Sequence, residues 1–318
     1  MEIVLQGTFL FTAMIIGLGE TVYDIIFKAN QPVRAVPGGS AFNAMISIGR
    51  CGANCLMVTE TGDDHVGNLI TQFLKDNGVD TEYVYQHPGT KSHISLAFLN
   101  DNNDAQYQFY KDHAALNLPD RMPEIKKGDI VLFGSYFAIN PVIREYVAHF
   151  LHTSKEKGAT LYYDINFRAA HKHELADVIS NIEENMRLAD VVRGSAEDFN
   201  ILYGTTTGEE AYRRIQSLCS TFIYTDAANP VQVFVAEDCE TTHSFRKYSY
   251  PVTPIKTVST IGAGDNFNAG FCYAMYKEGA NKNVFTAERL EKFVETGLRF
   301  SAEVCQSFDN YIQKAPQE

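Results

Sequence analysis

The sequence predicts an α/β fold: a central, mainly parallel sheet flanked by helices, with a small β-sheet lid. Three observations carry this. Short, strongly apolar runs alternate with longer stretches of helical period, the pattern of a parallel sheet buried on both faces. Glycine-rich turns fall just after several of those runs, where such sheets bind ligands. Two segments with β-like flanks and polar turns interrupt the alternation.

The apolar runs at 14–17, 55–59, 130–133, 160–164, 191–193, 221–225 and 231–235 read as strands. Between and after them, 41–50, 65–77, 141–157, 175–188, 209–218, 265–277 and 287–305 read as helices. Segments 20–36 and 92–110 read as a small antiparallel sheet, a lid inserted in the α/β core. The second contains Asn100-Asp101-Asn102-Asn103-Asp104, a strong turn signal. Residues 1–12 are left as an extra strand or an extension. No repeat or long linker divides the chain, so 1–318 is expected to be a single domain.

A chain of 318 residues that is 45% hydrophobic can bury a large core. Its net charge is −12, which argues against a general nucleic-acid surface. No 18-residue apolar run is present, so no membrane span is expected. The segment before Lys28 has neither Lys nor Arg, unlike a signal peptide. Six scattered cysteines without a CxxC pair suggest reduced thiols and a cytoplasmic location.

The chemistry concentrates in Ile261-Gly262-Ala263-Gly264-Asp265. The glycines allow a tight turn whose N–H groups point outward, and Phe267, Phe271, Ala274 and Met275 follow at helical spacing. N–H groups at a helix start attract anions. Asp265 sits at that positive end, where its carboxylate is expected to be held ionised and ready to take a proton. An anion cradle beside a base suits phosphoryl transfer to an alcohol; a glycine turn with a capping Asp is the simpler alternative. A Walker A loop is excluded because Gly-Asp-Asn stands where Gly-Lys-Ser/Thr is required. A dinucleotide fingerprint is excluded because Phe267 occupies the position of its third glycine.

Other motifs follow predicted strands. Gly38-Gly39-Ser40-Ala41-Phe42-Asn43 would let a hydroxylated ligand approach the backbone, with Asn43 as donor and acceptor. Asp24 lies among Val22, Ile25, Ile26 and Phe27, so its carboxylate needs partners that ligand hydroxyls could supply. Arg168, in Asp164-Ile165-Asn166-Phe167-Arg168, could hold a substrate oxygen or phosphate, or pair with Asp164. Lys111, after the lid, is a second positive candidate. Ser195 and Asp198 could hold a hydrated magnesium, although a capping Ser with first-turn acids explains the same letters.

Taken together, the Gly262-Ala263-Gly264-Asp265 loop, the Gly38-Gly39…Asn43 turn and the ordered strands between them resemble the PfkB-type carbohydrate kinases, with closest similarity to bacterial fructokinase-like members. The resemblance covers about residues 13–310 and implies a ribokinase-like fold. It implies Asp265 as the base, with Gly262, Ala263 and Gly264 as the anion hole. It implies Asp24, Gly38, Gly39, Asn43 and Arg168 for the sugar, and Ser195 and Thr225 with Gly262 and Gly264 for the nucleotide. Asp198 is implied as a water-mediated magnesium ligand. ATP and Mg2+ are the implied cofactors and a small sugar such as fructose or ribose the acceptor. Independently of the resemblance, an exposed lid edge invites pairing with a second subunit, so a homodimer through the lid is a candidate assembly.

The chain departs from the family pattern at five places. Ser195…Asp198 replaces Asn-x-x-Glu, Ala227 replaces the Gly of Thr-x-Gly, and Ile165 replaces the Pro of Asp-Pro-Asn. Met45 stands where a small polar residue is usual. Ser259-Thr260-Ile261 replaces Asp-Thr-Thr, whose aspartate helps hold K+, so K+ dependence is left open. Nucleoside and keto-deoxy-sugar-acid kinases, the latter using Arg168 or Lys111, remain alternatives, as does a catalytically weak sugar- or nucleotide-binding protein.

Overall fold

The computed structural model describes residues 13–100, 105–111, 121–237, 244–279 and 285–314. The first strand, β1 (Ile15–Leu18), leads directly into a hairpin of β2 (Val22–Lys28) and β3 (Gln31–Gly38). Then come α1 (Ser40–Arg50), β4 (Cys55–Gly62), α2 (His65–Asp76) and β5 (Val84–His87). A second excursion, β6 (Ile94–Leu99) and β7 (Ala105–Tyr110), precedes β8 (Ile130–Gly134), α3 (Arg144–Glu156) and β9 (Thr160–Asp164). The chain continues through α4 (Leu175–Leu188), β10 (Val191–Ser195), α5 (Ala196–Tyr203) and α6 (Gly208–Ile215). It closes with β11 (Thr221–Thr225), β12 (Val231–Ala236), β13 (Phe245–Tyr250), α7 (Ala263–Glu278) and α8 (Ala287–Cys305).

Nine strands form one sheet in the order β13-β12-β11-β10-β9-β8-β1-β4-β5. Its pairings are parallel except β11–β12 and β12–β13, which are antiparallel at one edge. Successive residues of a strand face opposite ways. Ile15 therefore joins a core with α1, α2, α7 and α8, while Ile16 joins one with α3, α4, α5 and α6. Both faces are buried, which is why the strands read as unbroken apolar runs. The two excursions form a four-stranded lid, β3-β2-β6-β7. Two of its pairings are antiparallel, as expected, whereas the central pair β2–β6 is parallel.

Most predicted elements appear within two or three residues of their expected bounds. The helix expected at 141–157 begins only at Arg144, because the Asn140 side chain accepts from the Val142 N–H and holds a turn there. Two strands escaped the sequence reading. β5 is only four residues long, and β13 reads Phe-Arg-Lys-Tyr-Ser-Tyr, an edge strand whose charges mask its alternation. Residues 1–12 and the turn positions 101–104 lie outside the described residues. No described helix is long and apolar enough to cross a membrane. The described cysteines 51, 55, 219, 272 and 305 are free thiols.

Candidate active site

The loop before α7 ends at Gly262, which caps the helix in the left-handed region (φ 78°, ψ −1°). A side chain there would also press on the Asn310 backbone, 3.1 Å from an ideal Cβ. In the first helical turn the Ala263 N–H donates to the Thr260 carbonyl at 3.2 Å, which leaves the Gly264 and Asp265 N–H groups pointing along the axis. Asp265, the third helical residue, is buried against α1. Its Oδ1 accepts from Ser40 Oγ at 2.8 Å and its Oδ2 from Asn43 Nδ2 at 2.9 Å. Ser40 and Asn43 lie three apart, on one face of α1. The Asn43 amide oxygen is buried with no hydrogen-bond partner among the described residues.

The expectation that the helix terminus holds Asp265 ionised needs correction. Burial pushes its carboxyl above the ordinary Asp value, and the Asn43 amide, the Arg168 charge and the Ser40 hydroxyl only partly oppose this. The group is a stronger base than an exposed aspartate, and it requires a higher pH to be free of its proton.

α1 is placed by the second glycine turn. Gly39 caps it at φ 126°, and a Cβ there would lie 2.4 Å from the Glu20 carbonyl oxygen. Gly39→Ala should therefore cost about 2–4 kcal/mol from backbone strain and overpacking. Thermal unfolding checks this, and an unchanged Tm would contradict the geometry.

The lid supplies Asp24. Its Oδ1 accepts a short hydrogen bond from Ser95 Oγ. An ideal Cβ on Gly38 would lie 2.5 Å from its Oδ2, so only glycine there leaves the carboxylate room. Burial raises the Asp24 pKa to about 6 against the Ser95 bond that lowers it. Phe109, directly opposite Ser95 across β6–β7, shares Asp24's face of the lid and is exposed. Lys111 is held by Glu20 at 2.6 Å.

Arg193 is the residue that sequence reasoning missed. It stands on β10 directly beside Asp164 of β9. Its Nη1 donates to Asp164 Oδ1 at 2.9 Å and its Nη2 to Thr225 Oγ1 at 2.7 Å. The ion pair of Asp164 is thus made by Arg193, not by Arg168. Both terminal nitrogens lie 3.1 Å from where a Cβ on Gly264 would be, so the guanidinium underlies the anion loop. Its Nε is buried without a partner among the described residues. The only sequence signal was a charge inside an apolar strand, which demands a buried counter-charge.

Other candidate residues sit further back. Ser195 and Asp198 form a capping box at the start of α5. The Asp198 oxygens accept from Phe167 N, Ser195 N and Ser195 Oγ, each at 2.7 Å. Asp198 is buried, so the cap accounts for both residues and no geometry supports a metal there. Thr225 engages Arg193, and Ala227 keeps a positive φ of 45° where the resemblance expects Gly. Arg168 follows Asn166, a non-glycine residue at φ 40° whose Nδ2 donates to Ser135 Oγ at 2.8 Å. Ser135 is itself at φ 54°. These two strained residues lie just past the ends of neighbouring strands, β8 and β9. Ser259 accepts from the Ile261 N–H, and the Cys305 carbonyl accepts from the N–H groups of Val258 and Ser259.

A family model described as "pfkB family carbohydrate kinase" matches residues 12–316. Among curated relatives, aminoimidazole riboside kinase of Salmonella typhimurium is 21% identical, over 86% of this chain and 84% of its own length. Fructokinase-1 of Oryza sativa is 26% identical over 81% and 79%. Among solved structures, fructokinase of Vibrio cholerae with fructose, ADP and calcium superposes with a TM-score of 0.76 at 21% identity, covering 93% and 94% of the two chains.

Proposed function

This chain belongs to the pfkB family of carbohydrate kinases, and from that premise we propose that it phosphorylates the primary hydroxyl of a small, fructose- or ribose-like sugar with ATP, Asp265 acting as base. The observation that carries the reading is the Asp265 carboxylate, buried at a helix N-terminus and aimed by Ser40 and Asn43.

The residues present fit a nucleotide phosphate. The Gly264 and Asp265 N–H groups open α7, a buried guanidinium lies beneath Gly264, and its Nε has no partner among the described residues. ATP supplies the phosphoryl group. Gly262, Ala263 and Gly264 shape the backbone that faces the developing charge, with Arg193 adding its field from below. Asp265 takes the hydroxyl proton as the oxygen attacks. Asp24 and the Asn43 amide oxygen accept from the other hydroxyls, and Arg168 screens the incoming negative charge. The lid excludes water. Mg2+ would ride on the nucleotide's own phosphates, because it keeps most of its waters and needs few protein ligands. Ser259 brings no negative charge to this loop, and its oxygen accepts from the Ile261 N–H, so the position lacks the charge the family aspartate would offer K+. We assign K+ no step.

A riboside acceptor is the second reading, favoured by the Phe109 ring on the Asp24 face of the lid, an aromatic surface shared with Lys111 on which a heterocycle would stack. ADP release measured over a panel of hexoses, pentoses and ribosides separates the two. Turnover on none of them, with sugar binding retained, would leave a binding protein.

Acceptor binding should depend on pH through Asp24. Its folded pKa of about 6 exceeds the ordinary 3.8, so proton binding favours the empty folded chain. That contribution is complete below 3.8 and is lost as pH rises through about 6. The ionised form is the stronger acceptor for a sugar hydroxyl. The apparent Kd for sugar should therefore weaken as pH falls below about 6, by at most about tenfold per pH unit, and be flat above 7. Calorimetric titration of wild type and Asp24→Asn tests this. The variant should bind more weakly and lose the pH dependence.

A further inference from the structure

We propose that Asn266 is a positioning residue for phosphoryl transfer, the joint that holds the anion loop in register with the base; this rests on the kinase reading above. Asn266 is fully buried beside Asp265. Its Nδ2 donates to the Gly262 carbonyl and to the Asn310 carbonyl, each at 2.8 Å. Its Oδ1 accepts a short hydrogen bond from Ser47 Oγ. Two carbonyls facing one end of the amide fix its orientation, since a flipped amide would set oxygen against oxygen. Ser47 Oγ in turn accepts from the Ile312 N–H at 3.1 Å. Both hydroxyl roles and both amide hydrogens are thereby used.

The arrangement continues that of the base. Ser40, Asn43 and Ser47 follow one face of α1 at spacings of three and four. The first two grip Asp265 and the third grips Asn266. The Gly262 carbonyl, which also accepts the Asn266 N–H at 2.9 Å, is thus tied to α1 and to the segment after α8. Fixing that carbonyl fixes the start of α7, and with it the direction of the free first-turn N–H groups. An apolar or small residue at 266 would leave Gly262 and Asn310 without this donor and free the loop to shift against Asp265. Misplacement on the order of 1 Å is enough to cost about a hundredfold in rate. This contribution belongs to the transition state, because the loop N–H groups act on charge that develops only there.

Steady-state kinetics on wild type, Asn266→Ala, Ser47→Ala and Ser47→Thr tests the assignment, with Asp265→Asn run alongside. We expect Asn266→Ala to lower kcat by roughly 10–100-fold with KM for both substrates within about threefold. Ser47→Ala should show a smaller kcat loss, which Ser47→Thr, keeping the hydroxyl, restores. ADP should bind Asn266→Ala as it binds wild type, while the added affinity of ADP with aluminium fluoride and sugar is lost. A merely structural role would lower Tm and leave kcat per folded molecule unchanged. A folded Asn266→Ala with kcat within twofold of wild type overturns the proposal. If that variant does not fold, Ser47→Ala at wild-type kcat overturns it. Full activity of Asp265→Asn would instead remove the proposed base, and a wild type without turnover on any acceptor removes both readings.

Discussion

Asp265→Asn is expected to lower kcat by about 10²–10⁴-fold while the protein stays folded. The substitution keeps the shape of the site. The new side-chain oxygen still accepts from Asn43, and the new amide can donate to Ser40 Oγ, which accepts as readily as it donates. Only the proton-accepting ability is lost. Burial disfavours the ionised carboxylate in the native chain, so replacing it with a neutral amide should leave Tm unchanged or raise it. A catalytic site that gains stability as it loses turnover is the signature of this arrangement. The measurement is ADP release at saturating sugar together with a thermal melt. Turnover near wild type sinks the base assignment. A large fall in Tm would show that the charge is structural instead. The acid limb of the wild-type rate should also lie above the range of an ordinary aspartate.

The largest effect on stability is expected from Arg193→Met. The guanidinium is buried between Asp164 and Thr225, and Asp164 is nearly inaccessible. Among the described residues, removing the arginine leaves a buried carboxylate with the Asn268 amide, at 2.8 Å, as its one remaining side-chain donor. An unpaired buried charge costs about 3–5 kcal/mol, enough to lower Tm by roughly 6 °C or more. Adding Asp164→Asn should recover part of the loss, because the double variant buries no lone charge. A double-mutant cycle by denaturant unfolding reads this coupling. Costs that simply add would show that the two groups do not interact. Catalysis in Arg193→Met should fall as well, since the cation lies beneath Gly264.

The parts legible in the sequence were those encoded by neighbours along the chain. The loop at Gly262, the turn at Gly39 and the apolar strands each declare themselves within a few residues. The capping box at Ser195 was legible too, and it is the simpler reading that the geometry supports. Arg193 was hidden because its partner is 29 residues away, and the two meet only once β9 and β10 lie side by side. Asn266 was hidden for the same reason: its partners lie on α1 and beyond α8. The protonation behaviour of Asp265 was misjudged because a helix terminus is visible in a sequence, whereas the degree of enclosure is not.

One junction in the backbone links the lid to the proposed base. The lid strand β3 ends at Gly38, and the helix carrying both partners of Asp265 begins two residues later at Ser40. Gly39 alone separates them, so it is the single joint through which a tilt of the lid reaches Ser40. On the proposed reading, a sugar that pulls on Asp24 would be felt there, at a residue that already aims Asp265.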